Sequence, residues 1–203
     1  MGKTTQFFTF YIFFIFTLSV TAQCPVQYGL PTASCVPTTS STGDIGTGIV
    51  NFVFNTINNS HNDFLNDGTQ DFVCTKYTTV DAGSTYRFTA NLYGTLGLPS
   101  NDEYCRVYID YNNDGAFSAG EIVYDNMTTR QMVHTGNITI PASSILTNQM
   151  LRMRVMTDYS IFNSGCTNPE YGEVEDYGIV INNPAPTATI VVADNALRIG
   201  ETS

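Results

Sequence analysis

The sequence predicts an all-β fold, an antiparallel β-sandwich of jelly-roll or immunoglobulin-like style, with a closed barrel as the alternative. Three observations carry this. About eight short segments are β-branched, aromatic or alternating in polarity. Turn-forming residues separate them, and no run shows the 3.6-residue periodicity of an amphipathic helix.

Residues 1–22 read as a secretory signal. Lys3 gives the positive start, Phe7 to Val20 is almost wholly apolar, and Val20-Thr21-Ala22 supplies small residues for cleavage. The rival reading is lipidation at Cys24, although Gln23 stands where a lipobox needs a small residue. Residues 23–47 form an entry segment rich in Pro, Thr, Ser and Gly.

The expected strands then follow in order. Ile49 to Asn55 comes first. Cys74 to Val80 and Thr85 to Leu92 flank Asp81-Ala82-Gly83-Ser84, a hairpin-type turn. In Tyr104 to Asp110, Cys105, Val107 and Ile109 share one face while Tyr104, Arg106 and Tyr108 share the other. Glu121 to Asp125 is short, and Asn137 to Ile140 stops at Pro141. Leu151, Met153 and Val155 alternate with Arg152, Arg154 and Met156, and Val174 to Ile181 is the last strand. Residues 183–188 read as a Pro-containing linker, and 189–203 as the opening of a second, immunoglobulin-like domain cut short.

The net charge of −10, from 8 basic and 18 acidic residues, excludes a basic nucleic-acid footprint. Beyond the signal no segment is apolar enough to anchor the chain in a membrane after cleavage. Export makes disulfides the natural state of the cysteines, and five is an odd number, so one at least is free or bonded outside the chain. No C-x-x-C pair suggests zinc or redox chemistry.

Residues 110–121 read DYNNDGAFSAGE. This matches the D-x-[DN]-x-[DN]-G-x5-E pattern of a calcium loop. Calcium takes six to eight hard oxygens, and alternate positions of a tight loop present them. Asp110, Asn112 and Asp114 give side-chain oxygens, Ala116 its carbonyl, Ser118 a water-holding hydroxyl, and Glu121 a bidentate carboxylate. Gly115 permits the sharp turn, and Phe117 is placed to anchor the loop to the core. Strands on both sides exclude a helix–loop–helix sensor and imply a structural calcium site. A metal-free Asn/Asp/Gly hairpin is the competing reading.

Residues 171–177 read YGEVEDY, a run of carboxylates leading into an apolar strand. Glu173 and Glu175 share one face, and Asp176 lies on the other. Arg152 and Arg154 have the same two-residue spacing, so cross-strand Arg–Glu pairs are the simplest reading. A place near the calcium loop, as ligand or in its surroundings, is the second reading, and a glycosidase carboxylate pair the third.

With these motifs the chain resembles the GEVED domain, a module of exported proteins from Bacteroidetes and other bacteria. The resemblance runs over about residues 35–182. It rests on TINNS at 56–60, CRVYIDYNNDGAFSAGE at 105–121, IPAS at 140–143, LRMRV at 151–155, Cys166 and YGEVEDY. It implies a non-catalytic β-sandwich in large multidomain proteins. The family usually carries Trp near positions 105 and 108; here Cys105 and Tyr108 stand there, and the chain has no Trp. A Cys74–Cys105 disulfide replacing that packing is the expectation, with Cys35–Cys166 closing the domain, Cys24–Cys35 competing, and Cys24 left over.

Enzyme signatures are missing. There is no H-E-x-x-H, G-x-S-x-G or P-loop, and His61 and His134 stand in unrelated contexts. Asn58, Asn126 and Asn137 fit the N-x-[ST] pattern, and the tyrosines read as packing rather than a sugar platform. The sequence therefore points to a calcium-stabilised adhesion or interaction module of a secreted or surface protein, not an enzyme. Its partner would be an extracellular polymer, glycan or surface protein. The alternative is an accessory, polysaccharide-binding domain of an exported protease or glycoside hydrolase.

Overall fold

The computed structural model describes residues 24–38, 47–60, 68–94 and 102–183. The signal segment 1–22, nearly all of the linker and the stretch 189–203 lie outside the described residues, as does His61. Among the described residues ten strands form two facing sheets. In chain order they are β1 (Thr47–Phe54), β2 (Ile57–Ser60), β3 (Thr69–Asp71), β4 (Tyr77–Asp81), β5 (Thr85–Gly94), β6 (Glu103–Ile109), β7 (Ile122–Gln131), β8 (Val133–Thr139), β9 (Met150–Asp158) and β10 (Val174–Asn182).

The first sheet has the order β2-β1-β5-β8 and is antiparallel throughout. The second runs β10-β9-β6-β7, also antiparallel. Its remaining edge is parallel: β3 and then β4 line up along β10. The protein is thus the expected β-sandwich, with a mixed second sheet rather than a purely antiparallel one. Asp81 to Ser84 is a corner and not a hairpin, because β4 belongs to the second sheet and β5 to the first. Gly83 takes φ +80° there, and its amide donates to the Ile140 carbonyl at 3.0 Å.

Side-chain alternation builds the core. Phe52, Phe54 and Phe88 from the first sheet meet Val107, Met153, Val155, Tyr177 and Ile179 from the second. Each buried apolar side chain of this size contributes roughly 1.5–3 kcal/mol by removal from water. The opposite face of β9 and β10 carries Arg152, Arg154 and Asp176, all buried as well. They are covered by residues 24–38, which lie over this outer face. The Tyr28 carbonyl accepts the Met150 amide at 3.1 Å, and the Pro37 carbonyl accepts the Thr69 hydroxyl at 2.6 Å. What the sequence shows as an entry segment is, over 24–38, a strap packed on the second sheet.

Two disulfides fasten the strap: Cys24–Cys74 and Cys35–Cys166. The second is as expected. The first corrects the expectation, since Cys74 bonds to Cys24 and not to Cys105. Cys105 is a free thiol fully buried on the inner face of β6. Cys74 precedes β4 beside Tyr28 and Met150, on the outer side of the second sheet, so the two residues lie on opposite faces.

Candidate functional site

The loop from Asp110 to Glu121 joins β6 to β7, two neighbouring antiparallel strands. Local hydrogen bonds shape it. The Asp110 carboxylate accepts the Asp114 amide at 3.1 Å and the Gly115 amide at 2.9 Å. Asn112 Oδ1 also accepts from the Asp114 amide, at 3.0 Å, and Asp114 Oδ1 from the Ala116 amide, at 2.8 Å. Asn113 and Gly115 both have positive φ, +54° and +80°. A Cβ on Gly115 would collide with the Ala33 carbonyl of the strap, so this glycine serves both turn and close approach. At the far end, Glu121 accepts from the Tyr111 amide at 3.1 Å and from the amide and hydroxyl of Ser118 at 2.8 Å.

Asp110 and Glu121 are both buried, at 0% and 4% exposure. Burial pushes the Asp110 carboxyl above its ordinary range; the Gly115 and Asp114 amides oppose this, while the charges of Glu121 and Asp114 add to it. Among the described residues no arginine or lysine pairs with Asp110, Asp114 or Glu121. Two of the loop's three carboxylates, Asp110 and Glu121, are therefore buried without an ion-paired cation among the described residues, and the third, Asp114, is exposed. That is the environment a divalent cation relieves, and an all-oxygen donor set suits calcium over zinc. Among the described residues no three His, Cys, Asp or Glu side chains are drawn together as a metal cluster. Asn112 Nδ2 donates to Asp114 Oδ2 at 2.8 Å, so these two side chains must turn to hold an ion.

Phe117 anchors the loop as expected, though against the outer side of the second sheet rather than in the intersheet core. Its ring lies 5.5 Å from that of Tyr108, and the Arg154 guanidinium sits 4.5 Å above it. Arg154 ties several elements together. It makes a fork with Asp176, Nε to Oδ1 and Nη2 to Oδ2, both 2.8 Å. Nη1 donates to the Gly165 carbonyl at 2.6 Å, and Nη2 to the Cys35 carbonyl at 2.8 Å. The calcium-type loop, the strap, the second disulfide and the acidic strand thus meet around one fully buried guanidinium. Sequence spacing alone does not reveal this hub.

The acidic residues of 171–177 have separate tasks. Asp176 also accepts from Arg152 at 2.8 Å, so both arginines pair with Asp176. Register explains it: Asp176 lies directly opposite Arg154 on the outer face. Glu173 accepts the Ile49 amide at 2.9 Å and links the two sheets. Glu175 faces inward and accepts the Tyr177 hydroxyl at 2.6 Å, which itself accepts from Asn59 at 3.0 Å. The carboxylate and burial hold the Tyr177 phenol far above its ordinary pKa, burial contributing most. A Cβ on Gly172 would run into the Thr157 carbonyl, which explains the glycine before Glu173.

Asp158, which sequence reasoning missed, gathers the return loop. It accepts from the amides of Ser160, Glu170 and Tyr171 at 3.2, 2.8 and 3.1 Å. An aspartate at a strand end followed by Tyr-Ser is the one local cue. His134 is buried, with Nε2 donating to the Glu103 carbonyl at 3.0 Å and Nδ1 accepting from Tyr124 at 3.2 Å. It is a packing residue.

The family profile described as the GEVED domain matches residues 104–180. This span runs from β6 through β10 and includes the loop, both arginines and the acidic strand. No solved structure matches the chain.

Proposed function

We propose that this protein is a non-catalytic interaction module of an exported multidomain protein, held rigid by calcium at Asp110–Glu121 and by its two disulfides. The observation that carries the reading is the loop itself. It has the full ligand pattern, two buried carboxylates and no cationic partner among the described residues. When bound, calcium supplies charge neutralisation and fixed coordination. Asp110, Asn112, Asp114, the Ala116 carbonyl, Ser118 and Glu121 would hold it. The chain's own contribution is mechanical: loop order passes through Phe117 to Arg154 and through Gly115 to the strap.

A non-catalytic role is supported by the engagement of the acidic strand. Asp176 neutralises two arginines, while Glu173 and Glu175 hold an amide and a phenol. Such carboxylates are positioned to stabilise the fold. Export is supported by the two disulfides.

Thermal melting in calcium and in chelator tests the reading. At a calcium concentration about 100 times Kd, binding to the native state alone adds about 2.7 kcal/mol. That corresponds to a melting increase of roughly 5–11 °C for a domain this size. Asp110→Ala should abolish the difference. Identical melting of the wild-type chain in both conditions would refute the calcium clamp.

A further inference from the structure

The strands of the first sheet differ from those of the second in charge. None of the four strands of the first sheet contains Asp or Glu, although the chain has 18 acidic residues. Each of the six strands of the second sheet holds at least one. The strap covers the outer face of β9 and β10 in the second sheet, whereas the outward positions of the first are exposed or half-exposed.

Side chains on the outer face of the first sheet form ordered rows across the strands. One row is Asn58, Val53, Thr89 and Thr135, and the next is Ser60, Asn51, Asn91 and the exposed Val133. Strands lie about 4.8 Å apart, and rows follow at about 7 Å along them. Hydrogen bonds fix the array: Asn91 donates to Asn51 at 3.0 Å, Asn51 to Ser60 at 2.6 Å, and Thr89 meets Thr135 at 3.3 Å. Arg87, the only charged side chain in these strands, reaches Thr135 at 3.3 Å.

We infer that this face binds a neutral polysaccharide. The inference deepens the reading of the chain as an interaction module and rests on it. Hydroxyl and amide groups both donate and accept, as sugar hydroxyls do. Their mutual bonds hold them in place, so little side-chain entropy remains to be lost on binding. The partner's neutrality follows from the charge distribution. A polyanion meets a chain of net charge −10, and a polycation finds no carboxylate on these strands. A protein partner is disfavoured because the rows lack the central aromatic anchors of protein interfaces.

The test is retention of the full chain on laminarin, mannan, xyloglucan and cellulose, with alginate and chitosan as charged comparators. Wild type should be retained by at least one neutral glycan. Thr135→Glu with Asn137→Glu, both exposed on β8, should weaken that retention about tenfold or more, the loss of one or two net hydrogen bonds. Thr128→Glu with Thr129→Glu on β7 should leave it unchanged. Circular dichroism and melting confirm that each variant is folded. No retention on any neutral glycan, retention only on a charged one, or equal retention by the β8 variant overturns the inference. Melting in calcium separates the two ideas: a calcium response without glycan retention removes this inference alone, and retention without a calcium response removes the clamp alone.

Discussion

Replacing Asp176 by Ala should be the most damaging single change in the acidic strand. Asp176 is 1% exposed and is the shared counter-charge of Arg152 and Arg154. Arg154 is entirely buried, and its remaining hydrogen bonds go to uncharged groups: carbonyls, the Ser34 hydroxyl and the Cys35 sulfur. Arg152 keeps only Asp71, whose side chain is 59% exposed. Removing one partner of a buried pair costs about 3–5 kcal/mol, because the other charge stays desolvated. Here two arginines lose their partner, so the upper part of that range is expected. It is a large share of a total stability of about 5–15 kcal/mol. The assay is urea or guanidinium unfolding with disulfides intact, comparing midpoints at constant slope. Asp71→Ala is the control, since the Asp71 carboxylate is 59% exposed and Arg152 keeps Asp176, so a loss of about 1 kcal/mol or less is expected. A loss below about 1 kcal/mol for Asp176→Ala, or equal losses for both variants, would refute the hub around Arg154.

Two other predictions concern buried groups. Burial lowers the pKa of His134 from 6.5, while the Glu103 and Gln131 carbonyls and the charge of Asp102 partly restore it. The unfolded chain therefore takes up the proton first. Stability is fully present above about pH 6.5 and declines as pH falls toward the lower folded value, by at most about 1.4 kcal/mol per pH unit. His134→Gln should flatten the stability profile between pH 5.5 and 7; parallel profiles would contradict the buried neutral imidazole. Cys105 should resist maleimide in the native protein, where burial and then the Glu103 charge raise its pKa. Unfolding without reductant should expose one thiol per chain, at Cys105; labelling at Cys24 would contradict the Cys24–Cys74 bond.

The sandwich was legible where apolar residues alternate with polar ones, even though both faces of β9 and most of β10 are buried. In β6, β9 and β10 every second residue enters the core, and period-two reading recovers both faces. It failed where a strand is short or polar. β2, INNS, and β3, TQD, offer too few apolar positions, and β7 continues through Asn126 to Gln131 as a polar edge. Turn chemistry marked Gly83 correctly but does not encode which sheet the next strand joins. The calcium-type pattern was complete in sequence because its spacing is local. The Arg154 hub was hidden because it depends on register, fixing Asp176 opposite Arg154, and on a strap more than 100 residues distant in sequence. Cysteine pairing was hidden for the same reason: strand parity separates Cys105 from the outer face where Cys74 lies, but not Cys24 from Cys35.

Calcium stoichiometry tests the central claim most directly. The purified chain would be dialysed against calcium and the bound metal counted per protein by elemental analysis, beside Asp110→Ala and Glu121→Gln. About one calcium per wild-type chain, with none retained by Asp110→Ala and less by Glu121→Gln, is the predicted result. A wild-type chain that retains no more calcium than Asp110→Ala would contradict a calcium clamp at Asp110–Glu121.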